Sequence, residues 1–153
     1  MISHRSVAVV FVYLAAATVV AAKEKTLVNA DSDGVVLHGY DPVAYFTGNT
    51  AVKGDTKYKA TYKGGTYYFA SDANRNLFKK DPAKYAPQYG GYCAVAVSMG
   101  QIEDADPKMF TIHNDKLLVQ RNEKAHQMFL SNPDLLHKKA DQQWHELVEK
   151  NGK

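Results

Sequence analysis

The residue with the clearest chemical potential is the single cysteine, Cys93, together with the soft or basic donors that the fold could bring to it. A thiolate, a thioether and an imidazole together suit a soft ion such as Cu(I). The candidate partners after the N-terminal segment include Met99, His38, His113, His126, His137 and His145. No pair among them has the close spacing of a dedicated zinc motif. We therefore predict that any metal site is assembled by the fold, from Cys93, Met99 and His113.

Cys93 also has interpretations that involve no metal. It is the only cysteine, so the chain cannot form an internal disulfide. It adjoins Tyr92 and the apolar residues 94–97, which favours burial as an inert apolar side chain. A free thiol and an intermolecular disulfide stay open as alternatives.

A catalytic use of Cys93 has less support in the sequence. Residues 90–93, GGYC, could form a turn that presents the thiol as a nucleophile, with His113 as its general base. Such a pair needs a third group that orients the base, and none can be identified. The chain has no GxSxG elbow, no phosphate-binding glycine loop and no HExxH motif. We expect a protein that is not an enzyme.

The tyrosine content suggests a different kind of site. The chain has ten tyrosines, and nine of them follow Tyr13. A tyrosine ring is apolar and its hydroxyl needs a hydrogen-bond partner, so such residues either line ligand pockets or fill cores. The alternative prediction is therefore a surface for a small organic ligand or a protein partner, formed by Tyr45, Tyr89 and Tyr92.

The first 22 residues have the order of a secretory signal peptide. Arg5 supplies the positive charge, residues 6–20 are largely apolar, and residues 20–22, VAA, are suited to cleavage. A membrane-spanning helix needs about 20 apolar residues, and this run is shorter. We expect cleavage after Ala22, a secreted or periplasmic location, and no membrane span in the mature protein.

The remaining segment, residues 23–153, is predicted to be one domain. Its 131 residues are enough to form a hydrophobic core. Without Arg5 the chain has 18 basic and 16 acidic residues, a net charge of +2. A charge this small argues against a nucleic-acid partner and against binding to an anionic membrane.

Periodicity and turn residues predict the first half of this domain. Residues 26–37 are polar and rich in turn formers, which indicates an irregular arm. The apolar run at residues 43–46 is predicted to be a strand or an extended buried segment. Two β-favouring runs, residues 58–62 and 66–69, flank the glycines at 64–65 and predict a β-hairpin.

The second half is predicted to be richer in helix. Ser71 is suited to cap a helix that ends before Pro82. Residues 109–112 and 116–120 predict a second hairpin, and residues 131–133 separate two C-terminal helices. The apolar face of the last helix, predicted to dock on the sheet, comprises Leu136, Ala140, Trp144, Leu147 and Val148. These elements predict an α+β fold of small antiparallel β-hairpins packed with helices, with a helical C-terminal third.

Several motifs together resemble the YHS domain. They are residues 41–43 (DPV), the glycine turn at 64–65, residues 67–71 (YYFAS) and residues 78–85 (FKKDPAKY). An exported subgroup of that family is similar over residues 39–46 (GYDPVAYF) and 88–94 (QYGGYCA). The resemblance places the core motif at residues 41–85 and makes residues 86–153 a C-terminal extension.

The resemblance implies a metal-associated binding module, since YHS domains accompany proteins such as copper-transporting ATPases. It also implies two metal-binding cysteines, one directly after Asp-Pro-Val and one between the hairpin phenylalanine and the serine. Here those positions are Ala44 and Ala70, whose methyl groups cannot bind a metal. We therefore predict an exported, non-catalytic YHS-domain protein that handles copper or another soft metal through other residues, with organic-ligand or protein binding as the alternative.

Overall fold

The computed structural model describes residues 21–153. The predicted signal peptide, residues 1–22, lies outside these residues except for Ala21 and Ala22. None of the described helices is long and apolar enough to cross a membrane.

Helices and two small antiparallel sheets make up the described residues, which confirms the predicted α+β class. The helices are α1 (Ala44–Gly48), α2 (Asp72–Lys80), α3 (Pro82–Tyr85), α4 (Ala94–Ser98), α5 (Glu123–Ser131) and α6 (Pro133–Asn151). The strands are β1 (Asp55–Tyr62), β2 (Gly65–Phe69), β3 (Asp106–His113) and β4 (Lys116–Gln120). Short 3₁₀ turns occupy Leu37–Gly39 and Gln88–Gly91.

Both predicted hairpins are confirmed. Strands β1 and β2 pair with Tyr62 opposite Gly65, and the turn residues Lys63 and Gly64 have φ angles of 48° and 84°. Two consecutive residues at positive φ form the turn whose twist matches that of antiparallel strands. The turn between β3 and β4, Asn114–Asp115, has φ angles of 51° and 56° and follows the same rule.

The predicted strand at residues 43–46 is wrong, because these residues lead into helix α1. The Asp41 side chain accepts hydrogen bonds from the backbone N–H groups of Val43 at 2.8 Å and Ala44 at 3.4 Å. Such bonds satisfy donors that the start of a helix leaves free. Periodicity alone cannot separate a strand from a buried helix over four apolar residues.

Helices α2 and α5 begin at capping side chains, and α6 begins at a proline. Ser71 Oγ accepts a hydrogen bond from the Asn74 N–H at 3.1 Å and caps α2, as predicted. The Asn122 side chain accepts a backbone N–H at 2.9 Å in the first turn of α5. Pro133 opens α6 at the predicted break between the two C-terminal helices. Proline is suited to this position because the N–H that it lacks would have no helical partner there.

One hydrophobic core joins both hairpins to the helices. Its largest fully buried side chains include Tyr45, Phe69, Phe78 and Phe129. The apolar face of α6 packs mainly against α4, so its predicted docking on the sheet is wrong. Helix α4 has the sequence AVAVS, in which every residue but the last is apolar. Because such a run has no helical periodicity, α4 was not predicted as a partner for α6.

The arm before the first 3₁₀ turn is irregular, as predicted. It is tied down by paired backbone bonds between Thr26 and Lys153 at 2.9 and 3.0 Å, by the bond from Asn29 N–H to Gly90 O at 2.9 Å, and by two backbone bonds with Thr66 of β2 at 2.8 and 2.9 Å. Gly90 has a φ of +59°, and a Cβ atom there would lie 2.2 Å from Leu27 O. Only glycine therefore lets the arm lie directly on this turn.

Candidate functional site

A buried carboxylate, Asp41, organises the region of the DPV motif. Its side chain is fully buried and receives two further hydrogen bonds besides those from α1. Oδ2 accepts from Ala70 N–H at 2.8 Å and from Asn74 Nδ2 at 2.7 Å. A buried carboxylate needs such donors because they replace the water that it loses. Asp41 thus ties α1, the end of β2 and α2 together.

The two positions at which the resemblance implies cysteines meet around this carboxylate. The backbone N–H groups of Ala44, at 3.4 Å, and Ala70, at 2.8 Å, both donate to Asp41. The two residues are 26 positions apart in the sequence, which gives no sign of this proximity. Methyl groups offer no lone pair to a metal, so this arrangement lacks the donors that a soft ion needs.

Cys93 is fully buried at the residue before α4, in agreement with its predicted burial. Its backbone N–H donates to Glu103 O at 2.9 Å, and its Sγ accepts from Arg121 N–H at 3.3 Å. Cys93 also forms an isolated parallel bridge with Val119 of β4. The end of β4 therefore holds both the backbone and the sulfur of this residue.

A cavity of about 250 Å³ brings Cys93 together with two methionines. Met99 comes from the end of α4 and is 58% exposed, and Met128 comes from α5 and is 38% exposed. Glu103 and Arg121 form an ion pair in the same lining. We call this the sulfur cavity and define it by Cys93, Met99 and Met128. Two of the three predicted metal ligands, Cys93 and Met99, thus line one cavity.

The third predicted ligand, His113, has other partners. Its Nδ1 lies 2.8 Å from His137 Nδ1, and its Nε2 lies 3.0 Å from Asp134 Oδ1. A neutral His113 that donates from Nε2 to Asp134 accepts at Nδ1, so His137 donates from its own Nδ1. Both ring nitrogens of His113 are therefore occupied.

The register of the second hairpin explains why His113 does not reach Cys93. Cys93 lies beside Val119, which pairs with Phe110. His113 follows Phe110 by three residues along β3, which is about 10 Å at the rise of a strand. The structure therefore brings His113 neither to the proposed ligands Cys93 and Met99 nor to the position of a base for the Cys93 thiol.

His137 belongs to a polar network between α6 and the second 3₁₀ turn. Its Nε2 lies 3.9 Å from Asp141 Oδ1, which accepts a hydrogen bond from the Tyr89 hydroxyl at 2.7 Å. Burial lowers the pKa of His137; the Asp141 and Asp134 carboxylates oppose this, whereas His113 and Lys116 reinforce it. His137 is therefore mainly neutral at pH 7.

The three tyrosines predicted to form a ligand surface lie in different environments. Tyr45 is 1% exposed and donates to Pro107 O at 2.8 Å, so it is a core residue. Tyr89 is 4% exposed and donates to Asp141, whereas the half-buried Tyr92 donates to a backbone carbonyl at 3.4 Å. Because each hydroxyl has an internal partner, these residues do not form one exposed surface.

Met128 is the candidate ligand that the sequence did not reveal. It lies on α5 between the buried residues Ala125 and Phe129 and projects on the exposed side of that helix. A single methionine in an amphipathic helix carries no local signal of function. Its position at the sulfur cavity depends on the packing of α5 beside α4, which the sequence did not predict because α4 itself was not recognised.

Part of the chain matches a known protein family. The family model described as YHS domain matches residues 43–89. Residues 43–89 form a YHS domain. This YHS domain extends from α1 through the first hairpin to Tyr89, so it contains Ala44 and Ala70 and ends before Cys93. The chain matched no curated protein and no solved structure.

The YHS family is associated with metal handling, and with copper in particular. Within residues 21–153, no group of three or more His, Cys, Asp or Glu side chains could hold a metal ion. The sulfur cavity has a different composition, with one thiol and two thioethers. Such donors favour soft ions and are poor ligands for hard ones.

Proposed function

We propose that this protein is an exported, non-catalytic binding protein that holds a soft metal ion, Cu(I), in the sulfur cavity. The observation that carries the proposal is that Cys93, Met99 and Met128 line one cavity of about 250 Å³. The copper association of the YHS family supports the same conclusion. These donors lie after the YHS domain, and inside that domain Ala44 and Ala70 cannot serve as ligands.

The three sulfur residues would have different roles in binding, because one is buried and two are exposed. Cys93 is fully buried and would supply the anionic anchor as a thiolate, so binding would release its proton. Met99 and Met128 are exposed at 58% and 38%, and their unbranched side chains can adjust to place a thioether over the ion. A buried anchor and two adaptable outer donors would let an ion enter without a change in the backbone.

The surroundings of Cys93 suit a thiolate ligand. The Arg121 N–H donates to Sγ at 3.3 Å, and hydrogen bonds of this kind orient a ligand and stabilise its charge. The Arg121 side chain is held by Glu103, also at the cavity.

A non-catalytic role agrees with the surroundings of His113. A cysteine nucleophile needs a base within hydrogen-bond reach. The two nitrogens of His113 are engaged by His137 and Asp134, and the register of the hairpin separates His113 from Cys93. His113 therefore cannot act as the general base for the Cys93 thiol.

Copper titration tests the proposal. Cu(I) is added anaerobically to the purified protein in competition with bicinchoninate, and the wild type is expected to bind about one ion per chain. Cys93→Ala should abolish this binding, and Met99→Leu with Met128→Leu should weaken it by about tenfold or more. Met109→Leu is the matched control, because Met109 lies on β3 and does not line the cavity.

Two results would overturn the metal proposal. One is a wild-type protein that takes up no Cu(I), and the other is a Cys93→Ala variant that binds as the wild type does. Far-UV circular dichroism of each variant separates a lost ligand from a lost fold. The export part of the proposal is tested separately by N-terminal sequencing of the protein from its native compartment, where we expect the chain to begin at Lys23.

A further inference from the structure

A second cavity is lined in part by the 3₁₀ turn Gln88–Gly91 and shares no described lining residue with the sulfur cavity. Its volume is about 460 Å³, within the range of sites that bind small molecules. Five parts of the chain surround it: the N-terminal arm, the first hairpin, residues 83–90, the start of β4 at Lys116, and α6. We call it the aromatic groove.

The groove is built on fixed backbone. The arm that forms one wall is held at one end by the paired bonds of Thr26 with Lys153 and at the other by the bond from Asn29 to Gly90. Gly90 itself lines the groove and lies in contact with the arm. A pre-formed cavity of this kind needs little ordering when a ligand binds.

Aromatic side chains from separate elements line this groove. Tyr62 and Tyr67 come from the first hairpin, Tyr89 from the 3₁₀ turn and Trp144 from α6. Tyr62 and Trp144 are half-buried, whereas Tyr67 and Tyr89 are buried beneath them. The Trp144 ring packs edge-on against Tyr89 with centroids 5.6 Å apart. Such a lining favours a flat, unsaturated ring, because aromatic faces stack on it.

The charged lining favours an anionic ligand. Lys63 and Lys116 line the groove, and neither is in an ion pair with a carboxylate within the described residues. The third lysine, Lys25, is paired with Glu149 outside the lining. The described lining has two carboxylates, Glu24 and Asp141, against three lysines, and Asp141 accepts the Tyr89 hydroxyl at 2.7 Å. His145, exposed on α6, also lines it.

We propose that the aromatic groove binds a small organic anion that carries a flat ring, with the ring against Tyr62 and Trp144 and the anionic group near Lys63 and Lys116. This site is independent of the sulfur cavity, since the two have no lining residue in common. It also differs from the surface predicted from the sequence, of which only Tyr89 lines the groove.

The position of Trp144 makes binding directly measurable, because it is the only tryptophan in the chain. Naphthalene-2-carboxylate is the probe, and its binding to the full protein is followed by Trp144 fluorescence and by calorimetry. The neutral naphthalene-2-carboxamide has the same ring and no charge. We expect the acid to bind and the amide to bind about tenfold more weakly, as charge contacts with one exposed and one half-buried lysine would provide.

Variants separate the two parts of the proposed site. Lys63→Met with Lys116→Met should weaken binding of the acid by about tenfold and leave that of the amide unchanged. Tyr62→Leu should weaken both compounds, because it removes part of the ring contact. Lys139→Met is the matched control, since Lys139 is exposed on α6 and does not line the groove.

Three results would overturn the proposal. They are the absence of binding by the acid, equal binding of the acid and the amide by the wild type, and unchanged binding of the acid after both lysines are replaced. Cys93→Ala should bind the acid as the wild type does. A protein that fails to bind Cu(I) but binds the acid would contradict the sulfur cavity and leave the groove proposal intact.

Discussion

Replacement of Asp41 by asparagine tests the view that one buried carboxylate holds the YHS region together. In the wild type, one oxygen accepts the N–H groups of Val43 and Ala44, and the other accepts Ala70 N–H and the Asn74 amide. Asp41→Asn turns one of these oxygens into an NH₂ group. Whichever way the new amide is oriented, its NH₂ group faces at least one backbone N–H that has lost its acceptor.

The size of the effect follows from this geometry. A buried N–H without an acceptor costs about 1–3 kcal/mol, and the remaining bonds lose the strengthening that an anionic acceptor gave them. Asn74 can rotate its own amide and present its oxygen to the new NH₂ group, so its bond need not be lost. We expect a loss of about 3 kcal/mol in the free energy of unfolding, which is a large part of the total stability of a typical domain.

Urea unfolding measures this loss, with Trp144 fluorescence and far-UV circular dichroism as probes. Asp55→Asn is the matched control, because Asp55 is exposed and, among residues 21–153, its carboxylate accepts only the nearby Lys57 N–H at 2.8 Å. The control should change stability by no more than about 0.5 kcal/mol. A loss below about 1 kcal/mol for Asp41→Asn would refute the reasoning, since it is the least that an orphaned N–H should cost.

Other perturbations address the arm, the histidine pair and the YHS positions. Gly90→Ala should cost about 1–3 kcal/mol in urea unfolding, because the new Cβ would lie 2.2 Å from Leu27 O at a φ of +59°; a cost below about 0.5 kcal/mol would contradict this contact. Stability should fall as the pH drops below about 6.5, because the unfolded His137 then binds a proton that the folded side chain, with its lowered pKa, does not. Between pH 7.5 and 5.5, the free energy of unfolding in urea should fall less for His137→Gln than for the wild type. An equal fall in both proteins would contradict the role of His137 in this pH dependence. Ala44→Cys combined with Ala70→Cys places two thiols around Asp41 and should add Cu(I) uptake in the bicinchoninate competition, which neither single variant should match.

The elements with strong local chemistry were predictable from the sequence. Both hairpins were found because Lys63–Gly64 and Asn114–Asp115 can adopt positive φ between β-favouring runs. The cap at Ser71 was found for a similar reason, since its hydroxyl can replace a backbone acceptor. In each of these cases the residues that decide the structure are neighbours in the chain.

The errors arose where distant contacts decide the structure. Helix α1 depends on the Asp41 carboxylate, whose position is fixed in turn by Ala70 and Asn74 from later elements. Helix α4 is short and apolar, and it is buried by α6 from the far end of the chain. Neither dependence leaves a periodic pattern in the local sequence.

The candidate site was predictable only in part for the same reason. Cys93 and Met99 flank a single short helix, so both belong to one local stretch of the chain. Met128 joins them through the packing of α5, and His113 is removed from them by the register of β3 against β4. The aromatic groove was beyond prediction, because it needs the arm, the first hairpin and α6 to meet.

The hydrogen bonds of Asp41 explain how a YHS domain can lack its expected cysteines and keep its fold. The groups at residues 44 and 70 that hold the carboxylate are backbone N–H groups, and every residue except proline supplies one. A change from cysteine to alanine at these positions therefore leaves the scaffold intact while removing its thiols. Cys93 depends on a different set of bonds, from Glu103 and Arg121 near the end of β4. Because the two sets share no residue, the protein can lack metal ligands inside the YHS domain and still offer a soft donor set in the extension that follows it.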